Sequence, residues 1–400
     1  MSVRVAVVGL GWAGRELWLP RLREHPAFDV VAVVDPSAAS RAAYEQTGTQ
    51  DGAARDGTQD EAQDGARVAR PAVLADVDEL DRHSVDLAVV AVPNHLHAEV
   101  AVALLERGIP AFVEKPVCLN SAEAEKLAQA ETDGGAVLLA GSASRYRGDI
   151  GVLLDLVPSL GTVRHVELAW TRARGVPKSG GWFTSRSQAG GGVLLDLGWH
   201  LLDTLDAILG PVPMVQVTGT VSDDFLNDPS WGAVWRQDGP QADHLRGDVE
   251  DTARGFLVSE HGTSVALRAS WASHAARDLT LIRVEGSAGT ATLRCVFGFS
   301  PNREPVPTLT LTREGRTEDI ALPTEPIGVE YGRQLDDLPR LLGDPTHRGR
   351  AVADIRRNIR ITERFYESAL AGSAPLPETS AAPSPEPSLE PSPLLPLGMS

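Results

Sequence analysis

The sequence predicts an α/β protein in two parts, an N-terminal doubly wound parallel sheet and a C-terminal α/β domain with an open, mainly antiparallel sheet. Up to about residue 142, short continuously apolar runs alternate with amphipathic segments, which is typical of parallel strands covered by helices on both faces. Beyond about residue 210, β-type runs follow one another without intervening helices, which favours antiparallel pairing. The length of 400 residues leaves room for both domains.

Composition narrows the class of protein further. The chain is 42% hydrophobic and 23% charged, which is ordinary for a globular protein, and its formal net charge is −17. Because such a charge repels phosphate groups, we expect neither nucleic acid nor a membrane as a partner. Glycines interrupt the apolar N-terminus, no run reaches the ~20 apolar residues of a membrane span, and the cysteines are limited to Cys118 and Cys295. We therefore expect a cytoplasmic protein without a metal site.

The N-terminal domain, residues 1–142, is predicted to contain alternating strands and helices. The predicted strands are residues 3–8, 30–34, 87–92, 111–113 and 137–140. The predicted helices are residues 13–24, 37–46, 95–106 and 122–131. Residues 48–70 interrupt the alternation, because Gly-Thr-Gln-Asp occurs twice in a stretch almost free of large apolar side chains. We expect that segment to be a mobile, low-complexity surface insertion.

The C-terminal domain, residues 143–372, contains a predicted helix at residues 193–209 and a polar loop at residues 222–248. The predicted strands are residues 214–221, 255–258, 264–271, 280–285, 290–296 and 308–312. Two closing helices are predicted at residues 329–342 and 351–370. Eight of the 28 residues from Ser373 onward are proline, so we expect an extended, disordered tail at residues 373–400.

A glycine-rich motif, G-x-G-x-x-G, comes directly after the first predicted strand and opens the first helix. Gly9 permits a tight turn, Gly11 lets the backbone approach a pyrophosphate, and Gly14 allows close packing of helix on strand. The backbone N–H groups at Trp12 and Ala13, at the helix start, would point at the phosphates. An ordinary glycine turn is the alternative, but the strand, the helix and a suitably placed acid favour a bound dinucleotide.

That acid is Asp35, at the end of the second predicted strand and 21 residues after Gly14. Dinucleotide-binding folds place an acid about 20 residues after the glycine motif, where it binds the ribose hydroxyls. Because the carboxylate of Asp35 would repel a 2′-phosphate, we expect NAD to be preferred over NADP. Arg41, six residues further on, leaves NADP possible.

Two strand ends supply further candidates for the cofactor site. Pro93, Asn94 and His97 follow the strand at residues 87–92, and Glu114 and Lys115 follow the strand at residues 111–113. Ligands bind at the carboxyl ends of parallel strands in open α/β sheets, so we expect these residues at one site. A helix-capping or surface role is the alternative for His97. Lys115 is one of three lysines among 37 basic residues, which favours a dedicated role for it.

The third motif combines a triple glycine at residues 190–192 with Asp196 and His200. These two residues are four apart, so they would lie on one face of the predicted helix. A histidine with a carboxylate one turn away is a plausible proton donor and acceptor, and the acid would hold up its pKa. The spacing alone is common. A metal site formed by this pair with His97 would lack a third well-placed ligand.

Together these motifs resemble the glucose-fructose oxidoreductase / inositol dehydrogenase / MocA family. The resemblance is carried by the glycine motif, Asn94 with His97, Glu114-Lys115-Pro116, Trp182-Phe183, Asp196 with His200, Val249–Thr252, Val284-Glu285-Gly286 with Gly289, and Glu367–Leu370. The family implies a Rossmann domain followed by an α/β domain with an open sheet. It also implies NAD(P)-dependent hydride transfer at a carbinol carbon or ketone of a sugar, nucleotide sugar or cyclitol. Homodimers or homotetramers commonly form through that sheet.

The resemblance also implies a catalytic set of Lys115, Asp196 and His200. His200 would be the general base, Lys115 would hydrogen-bond the reacting oxygen, and Asp196 would orient the substrate or His200. Arg172 and Trp182 are candidates for binding a small polyhydroxylated substrate, although a solvated surface role is equally compatible with the arginine. The 222–248 loop is expected to border the pocket, which leaves the substrate open.

Two other functions fit the same motifs. A dinucleotide-binding sensor or regulator would retain the cofactor site without catalysis, but it would not need a lysine, an acid and a histidine converging on the nicotinamide. An enzyme that uses the cofactor transiently, for glycoside cleavage or epimerisation, would retain all three groups. A net redox change during turnover distinguishes a dehydrogenase from both alternatives.

Overall fold

The computed structural model describes residues 2–55, 70–233 and 246–372, which contain two separate sheets. The first is a six-stranded parallel sheet in the order β3-β2-β1-β4-β5-β6. Its strands are β1 (Val3–Val8), β2 (Phe28–Val34), β3 (Ala72–Leu74), β4 (Leu87–Val90), β5 (Ala111–Val113) and β6 (Leu138–Ala140). The strand order reverses between β1 and β4, which creates the crevice where doubly wound folds bind ligands. The predicted parallel sheet is confirmed.

Helices cover both faces of this sheet. They are a π-helical turn (Ala13–Trp18) that continues into α1 (Leu19–Glu24), then α2 (Ala38–Arg55), α3 (Asn94–Glu106) and α4 (Ser121–Gly134). Two apolar clusters result, one on each face: Val5, Val7 and Trp18 belong to one, and Ala6 and Val8 to the other. The alternate residues of β1 are therefore buried on opposite faces, as its continuous apolar run predicts.

Two details of this domain differ from the prediction. The strand β3 was not predicted, because it is an edge strand whose three residues are exposed or only partly buried. Helix α2 was predicted to end at residue 46 but continues to Arg55, so the first Gly-Thr-Gln-Asp copy is helical. The rest of the expected insertion, residues 56–69, and the tail, residues 373–400, lie outside the described residues.

The second sheet has eight strands in the order β14-β13-β12-β11-β7-β10-β9-β8. Every neighbouring pair is antiparallel except β7 and β10, so the expected mainly antiparallel sheet is confirmed. The strands are β7 (Val163–Thr171), β8 (Met214–Ser222), β9 (Thr252–Ser259), β10 (Ser264–Ser270), β11 (Leu279–Gly286), β12 (Gly289–Cys295), β13 (Thr308–Arg313) and β14 (Arg316–Ile320).

β7 and β14 were not predicted. β7 lies in the middle of the sheet, yet its sequence alternates between polar and apolar residues and contains no long apolar run. Its apolar side chains Val166, Leu168 and Trp170 are buried on one face, so the signal was period-two alternation. β14 is almost entirely exposed and carries no apolar pattern at all.

Helices cover one face of the eight-stranded sheet. They include α5 (Gly148–Leu156), the short α6 (Arg186–Ala189), and a π-helical turn (Leu194–Gly198) that continues into α7 (Trp199–Leu209). Residues such as Leu201 and Leu205 of α7 pack in one core cluster with Leu168 and Leu267 of the sheet. None of the helices in the described ranges combines the length and apolar character needed to cross a bilayer.

The closing helices α8 (Val329–Gly343) and α9 (Arg350–Gly372) join the two sheets. Leu335 of α8 and Ile355 of α9 pack in the apolar clusters of the parallel sheet. Phe365 of α9 packs against the other sheet, where a Cβ on Gly255 would lie 2.2 Å from its ring. The two sheets are therefore held together by shared cores, and the start of α7 lies against the carboxyl end of β5.

Candidate active site

The glycine turn after β1 has the geometry of a dinucleotide cradle. Gly9 has φ +98°, and a Cβ there would lie 2.5 Å from the carbonyl oxygen of Ala91. A Cβ on Gly14 would lie 1.9 Å from the carbonyl oxygen of Gly9, so both positions require glycine. At Gly11, in contrast, a Cβ would have none of the described atoms within 4 Å. This open space is what an approaching pyrophosphate would need. The residues present therefore fit the cofactor.

The helix that follows this turn begins with π-helical backbone at Ala13. Trp12, just before it, keeps 37% of its surface exposed and meets the ring of Phe299 edge-on at 6.0 Å between centroids. Phe299 in turn stacks on Tyr331 of α8. The glycine turn is therefore flanked by an aromatic contact from the second half of the chain.

Asp35 lies beside the glycine turn, as predicted. Its carboxylate accepts hydrogen bonds from the backbone N–H groups of Leu10 and Ser37, each at 2.8 Å. Arg41 donates to the carbonyl oxygens of Asp35 and Pro36, which brings a cation to the same strand end. Both groups that bear on the choice between NAD and NADP are therefore present, and the preference for NAD stays a prediction.

Lys115 and Asp196 form a close ion pair between the two halves of the chain. Lys115 follows β5 and is joined to Pro116 by a cis peptide bond, and its Nζ donates to Asp196 Oδ1 at 2.5 Å. The other carboxylate oxygen, Oδ2, accepts a hydrogen bond from Trp271 Nε1 at 2.8 Å. Burial alone would raise the pKa of Asp196, but the charges of Lys115 and Arg172 and both hydrogen bonds hold that pKa well below its usual range.

The Asp196–His200 spacing led to two expectations, that Asp196 orients His200 and that Asp196 raises its pKa. Among the described residues no hydrogen bond joins Asp196 to His200, and the two carboxylate oxygens of Asp196 accept from Lys115 and Trp271. The π-helical turn at Leu194–Gly198 also breaks the α-helical spacing that the prediction assumed. The charge of Asp196 does raise the pKa of His200, as expected, but burial and then the charge of Lys115 outweigh it and lower that pKa to about 3. The imidazole is therefore neutral at neutral pH.

Glu114 lies on the other side of Lys115. Its buried carboxylate accepts hydrogen bonds from Trp18 Nε1 at 2.8 Å and from the backbone N–H of Lys115 at 3.0 Å. Burial raises the pKa of Glu114, and the nearby Lys115 ammonium opposes that shift. Glu114 therefore anchors the strand end that carries Lys115.

His97 lies within α3, which begins at Asn94, so it does not cap the helix. The ring is 1% exposed, and its Nδ1 and Nε2 lie 2.7 and 2.8 Å from the carbonyl oxygens of Pro116 and Val92. Burial lowers its pKa to about 4. The side chain thus links the ends of β4 and β5 behind the site, and its predicted contact with the cofactor is not tested.

Pro93 and Asn94 lie at the start of α3. Pro93 is the residue before the helix, and Asn94 Nδ2 donates to the carbonyl oxygen of Ala189 at 3.2 Å. Ala189 belongs to α6, just before the triple glycine. The predicted cofactor residues at this strand end therefore also contact the second domain.

The triple glycine brings the start of α7 against the loop before β9. A Cβ on Gly192 would lie 2.0 Å from the carbonyl oxygen of Glu250, so this close backbone approach requires glycine. The buried carboxylate of Glu250 accepts from the N–H groups of Gly192 and Leu194 and from the hydroxyl of Tyr366, at 2.9, 3.1 and 2.8 Å. These bonds hold the turn that carries Asp196.

Arg172 and Trp182, the predicted substrate residues, lie on the second-domain side of the site. The Arg172 guanidinium carbon is 5.2 Å from the ring centroid of Trp170, which itself lies 5.7 Å from the ring of His200. Its charge lowers the pKa of both Asp196 and His200, so Arg172 belongs to the site's surroundings. Trp182 packs on Phe183, and Phe183 packs on Trp271.

The described parts of the 222–248 loop pack against the segment that follows β7. Leu226 accepts a hydrogen bond from Ser179 at 3.0 Å, and Gly232 pairs with Val176. The guanidinium of Arg174 lies 3.9 Å from the ring centroid of Trp231. The loop therefore borders the same side of the site as Arg172, as expected.

Two residues of this site were not singled out from the sequence. Trp271 was the last residue of a predicted strand, and Trp170 lies in a strand that was missed. No local pattern connects either tryptophan to His200 or Asp196, because their contacts cross between distant elements.

Comparisons with known proteins agree with this geometry. Residues 3–142 match the model described as "Oxidoreductase family, NAD-binding Rossmann fold", and residues 158–292 match the "GFO/IDH/MocA C-terminal domain". A "Putative UDP-kanosamine synthase oxidoreductase subunit" from Amycolatopsis mediterranei (strain S699) is 60% identical over 375 residues, covering 94% of this chain and 97% of that protein. The chain belongs to the Gfo/Idh/MocA oxidoreductase family. It is therefore an NAD(P)-binding oxidoreductase, and the predicted family, fold and cofactor are confirmed.

More distant Gfo/Idh/MocA-like proteins extend the comparison. A dTDP-3,4-didehydro-2,6-dideoxy-alpha-D-glucose 3-reductase from Streptomyces antibioticus is 28% identical over 62% of this chain and 67% of that protein. The structure of GenD2, from gentamicin A biosynthesis and in complex with NAD, aligns with a TM-score of 0.66 and 26% identity over 93% and 95% of the two chains.

Proposed function

We propose that this Gfo/Idh/MocA protein oxidises the hydroxyl at carbon 3 of a UDP-linked hexose to a ketone with NAD, and catalyses the reverse reduction. One observation supports the reaction type: Lys115, Asp196 and His200 lie close together. The Lys115 ammonium donates to Asp196 at 2.5 Å, and its charge lowers the pKa of His200. The substrate is supported by the names of the relatives, which include a UDP-kanosamine synthase subunit and a D-glucoside 3-dehydrogenase.

His200 would move the hydroxyl proton. With its pKa lowered to about 3, the imidazole is unprotonated at neutral pH and can accept the proton of the reacting hydroxyl. His200 is therefore assigned as the general base in oxidation.

Lys115 would stabilise the same oxygen. Its ammonium is held by Asp196 at the end of β5, and a second N–H can be directed at the negative charge that develops on the substrate oxygen. Asp196 acts as the counter-ion that keeps this cation in place. The turn Gly9–Gly14 and Asp35 would hold NAD, whose nicotinamide, when bound, accepts the hydride.

The test is a panel of substrates assayed with NAD and NADP by NADH or NADPH absorbance. UDP-glucose, dTDP-glucose, free glucose and myo-inositol separate nucleotide sugars from sugars and cyclitols. We expect the highest kcat/KM with UDP-glucose and NAD. UDP-glucose deuterated at carbon 3 should transfer deuterium to the nicotinamide, whereas deuterium at carbon 2 or 4 should stay on the sugar.

Each alternative gives a different result in this panel. Turnover of free glucose or myo-inositol in preference to UDP-glucose would overturn the substrate assignment. NAD binding without turnover of any substrate would support a sensor or regulator. Conversion of substrate without net formation of NADH would support transient use of the cofactor for epimerisation or glycoside cleavage.

We also propose a homo-oligomer formed through the open face of the eight-stranded sheet. Helices cover the opposite face, whereas Phe256 and Val215 are exposed by 50% and 53% on this side of the molecule. A shallow groove on the open face includes Glu167, Arg254 and Arg268. The mixture of an apolar side chain and charges of both signs suits a self-complementary interface between two copies.

A further inference from the structure

The carboxylate of Asp196 is held at both oxygens, by partners from opposite sides of the site. Oδ1 accepts from Lys115 Nζ at 2.5 Å, and Oδ2 accepts from Trp271 Nε1 at 2.8 Å. Trp271 is fully buried and directly follows β10. Its own backbone N–H donates to the carbonyl oxygen of Asp251, which ties the residue to the loop before β9.

A carboxylate that accepts from two donors rotates less freely than a carboxylate that accepts from a single donor. A carboxylate bound by a flexible lysine alone can rotate about its Cβ–Cγ bond, since that torsion is broad and the lysine follows it. The indole N–H points in one direction from a rigid ring. Phe183 packs on that ring at 5.9 Å between centroids, and the surrounding core leaves it fully buried. The bond to Trp271 therefore fixes the plane of the Asp196 carboxylate, and so the place of the Lys115 ammonium.

We propose that Trp271 is a positioning residue for Lys115, acting through Asp196. The assignment rests on the proposed function for the role of Lys115 in turnover, but the contact itself does not depend on which substrate is used. The catalytic set implied by the family resemblance consists of Lys115, Asp196 and His200. Trp271 adds a neutral donor from a different element.

Neighbouring charges do not replace this donor. The ionisable groups around the Lys115–Asp196 pair are Glu114 after β5, Arg172 after β7, His200 on α7 and Tyr331 on α8. The charge of Arg172 lowers the pKa of Asp196 and so keeps the carboxylate ionised. Removing the indole N–H should therefore leave Asp196 charged but free to turn.

The first experiment needs no substrate. Protein labelled with ¹⁵N in its indole groups gives one N–H resonance for each of the eight tryptophans. The resonance lost in Trp271→Phe belongs to Trp271, and we expect it to move strongly in Asp196→Ala and measurably in Lys115→Ala. A Trp271 resonance that is unchanged in Asp196→Ala would overturn the proposal whatever the outcome of the substrate panel.

The second experiment measures turnover. Removing a hydrogen bond to a charged group costs enough to predict a loss in kcat of about tenfold to a hundredfold in Trp271→Phe. We expect NAD affinity and KM to change little, because neither depends on the plane of Asp196. Replacing Trp271 with 3-benzothienylalanine exchanges only N–H for sulfur, so it should give the same loss without a cavity if the phenylalanine variant fails to fold.

The control is Trp199→Phe, which removes the same volume from another buried tryptophan, 3% exposed and packed in the cluster of the parallel sheet. It should leave kcat near that of wild type. In an Asp196→Ala background, Trp271→Phe should cause no further loss of kcat, since groups acting as a unit are not additive. Equal losses in Trp199→Phe and Trp271→Phe, or a full additional loss in the Asp196→Ala background, would show a merely structural role.

Discussion

Lys115 and His200 lie on two elements, the end of β5 and the start of α7, and the proposed function assigns both to one reacting oxygen. If both act on one oxygen, each contributes to the transition state far more than to cofactor binding. We predict that Lys115→Ala and His200→Ala each lower kcat by at least about a hundredfold while NAD affinity changes little. The double variant should lose less than the product of the two single losses.

The measurement is steady-state kinetics with a verified substrate on protein whose fold is checked by circular dichroism. Turnover like that of wild type in either single variant would remove that residue from the catalytic set. Loss of folded protein would instead indicate a structural role for the residue.

Asp35 is predicted to set the choice of cofactor. Its carboxylate is next to the glycine turn, where it would repel a 2′-phosphate, and Arg41 is bound to backbone carbonyls at the same strand end. We expect NAD to bind more tightly than NADP, and Asp35→Ser to narrow the difference. Fluorescence titration with both cofactors measures this. A wild-type preference for NADP would contradict the prediction and make Arg41 the residue to test.

Two histidines with lowered pKa values predict how stability depends on pH. The pKa values of His97 and His200 are lowered from 6.5 to about 4 and about 3, in each case first by burial. Between these values and 6.5 the unfolded chain binds more protons, so the free energy of unfolding should fall as pH falls through this window. Each histidine contributes a slope of up to about 1.4 kcal/mol per pH unit.

Urea denaturation at several pH values between about 7 and 4.5 tests this dependence. His200→Gln should reduce the slope, because glutamine does not titrate. His261→Gln is the matched control, since the side chain of His261 is 70% exposed, and it should leave the slope unchanged. An unchanged slope in His200→Gln would mean that His200 is protonated in the folded protein.

At the scale of elements, both helices that face the site begin with a π-helical turn, at Ala13–Trp18 and at Leu194–Gly198. Such turns are rare and occur frequently at functional sites. Each follows a glycine-rich segment whose backbone approaches another strand or loop more closely than a Cβ would allow. The glycines therefore determine how near each helix start can come to the neighbouring strand or loop.

The glycine turn after β1 offers a matched pair of substitutions. In Gly14→Ala the new Cβ would meet the carbonyl oxygen of Gly9 at 1.9 Å, so we predict a marked loss of stability, visible as a lower Tm. In Gly11→Ala the Cβ would enter open space, so Tm should stay close to that of wild type while NAD affinity falls. Normal NAD affinity in Gly11→Ala would place the cofactor elsewhere.

At the scale of the whole molecule, the open sheet face predicts assembly. Phe256 is half exposed at the centre of β9, and an aspartate there would place an unpaired charge in a buried contact between copies. We predict that Phe256→Asp lowers the mass measured by light scattering, while the circular dichroism spectrum stays unchanged. The same mass for wild type and variant would show that this face is not the interface.

Much of the fold could be predicted from the sequence, because its signals are local. The buried parallel strands appear as continuous apolar runs, and the glycine motif has the spacing that its turn requires. Lys115 could be placed at a strand end for the same reason. β7 was missed because it alternates between polar and apolar residues and forms no apolar run. The continuation of α2 to Arg55 was missed because residues 47–55 include two glycines and two threonines, which are poor helix formers.

The sequence by itself determined the fold class and the glycine turn of the cofactor cradle, and it singled out Lys115, Asp196 and His200. Only the tertiary structure decided how those groups are paired. Spacing suggested that Asp196 serves His200, yet the π-helical turn and two long-range contacts direct its carboxylate to Lys115 and to Trp271, 75 residues away. Burial then lowers the pKa of His200, which a sequence cannot show, because desolvation depends on what packs around a side chain and not on its neighbours along the chain.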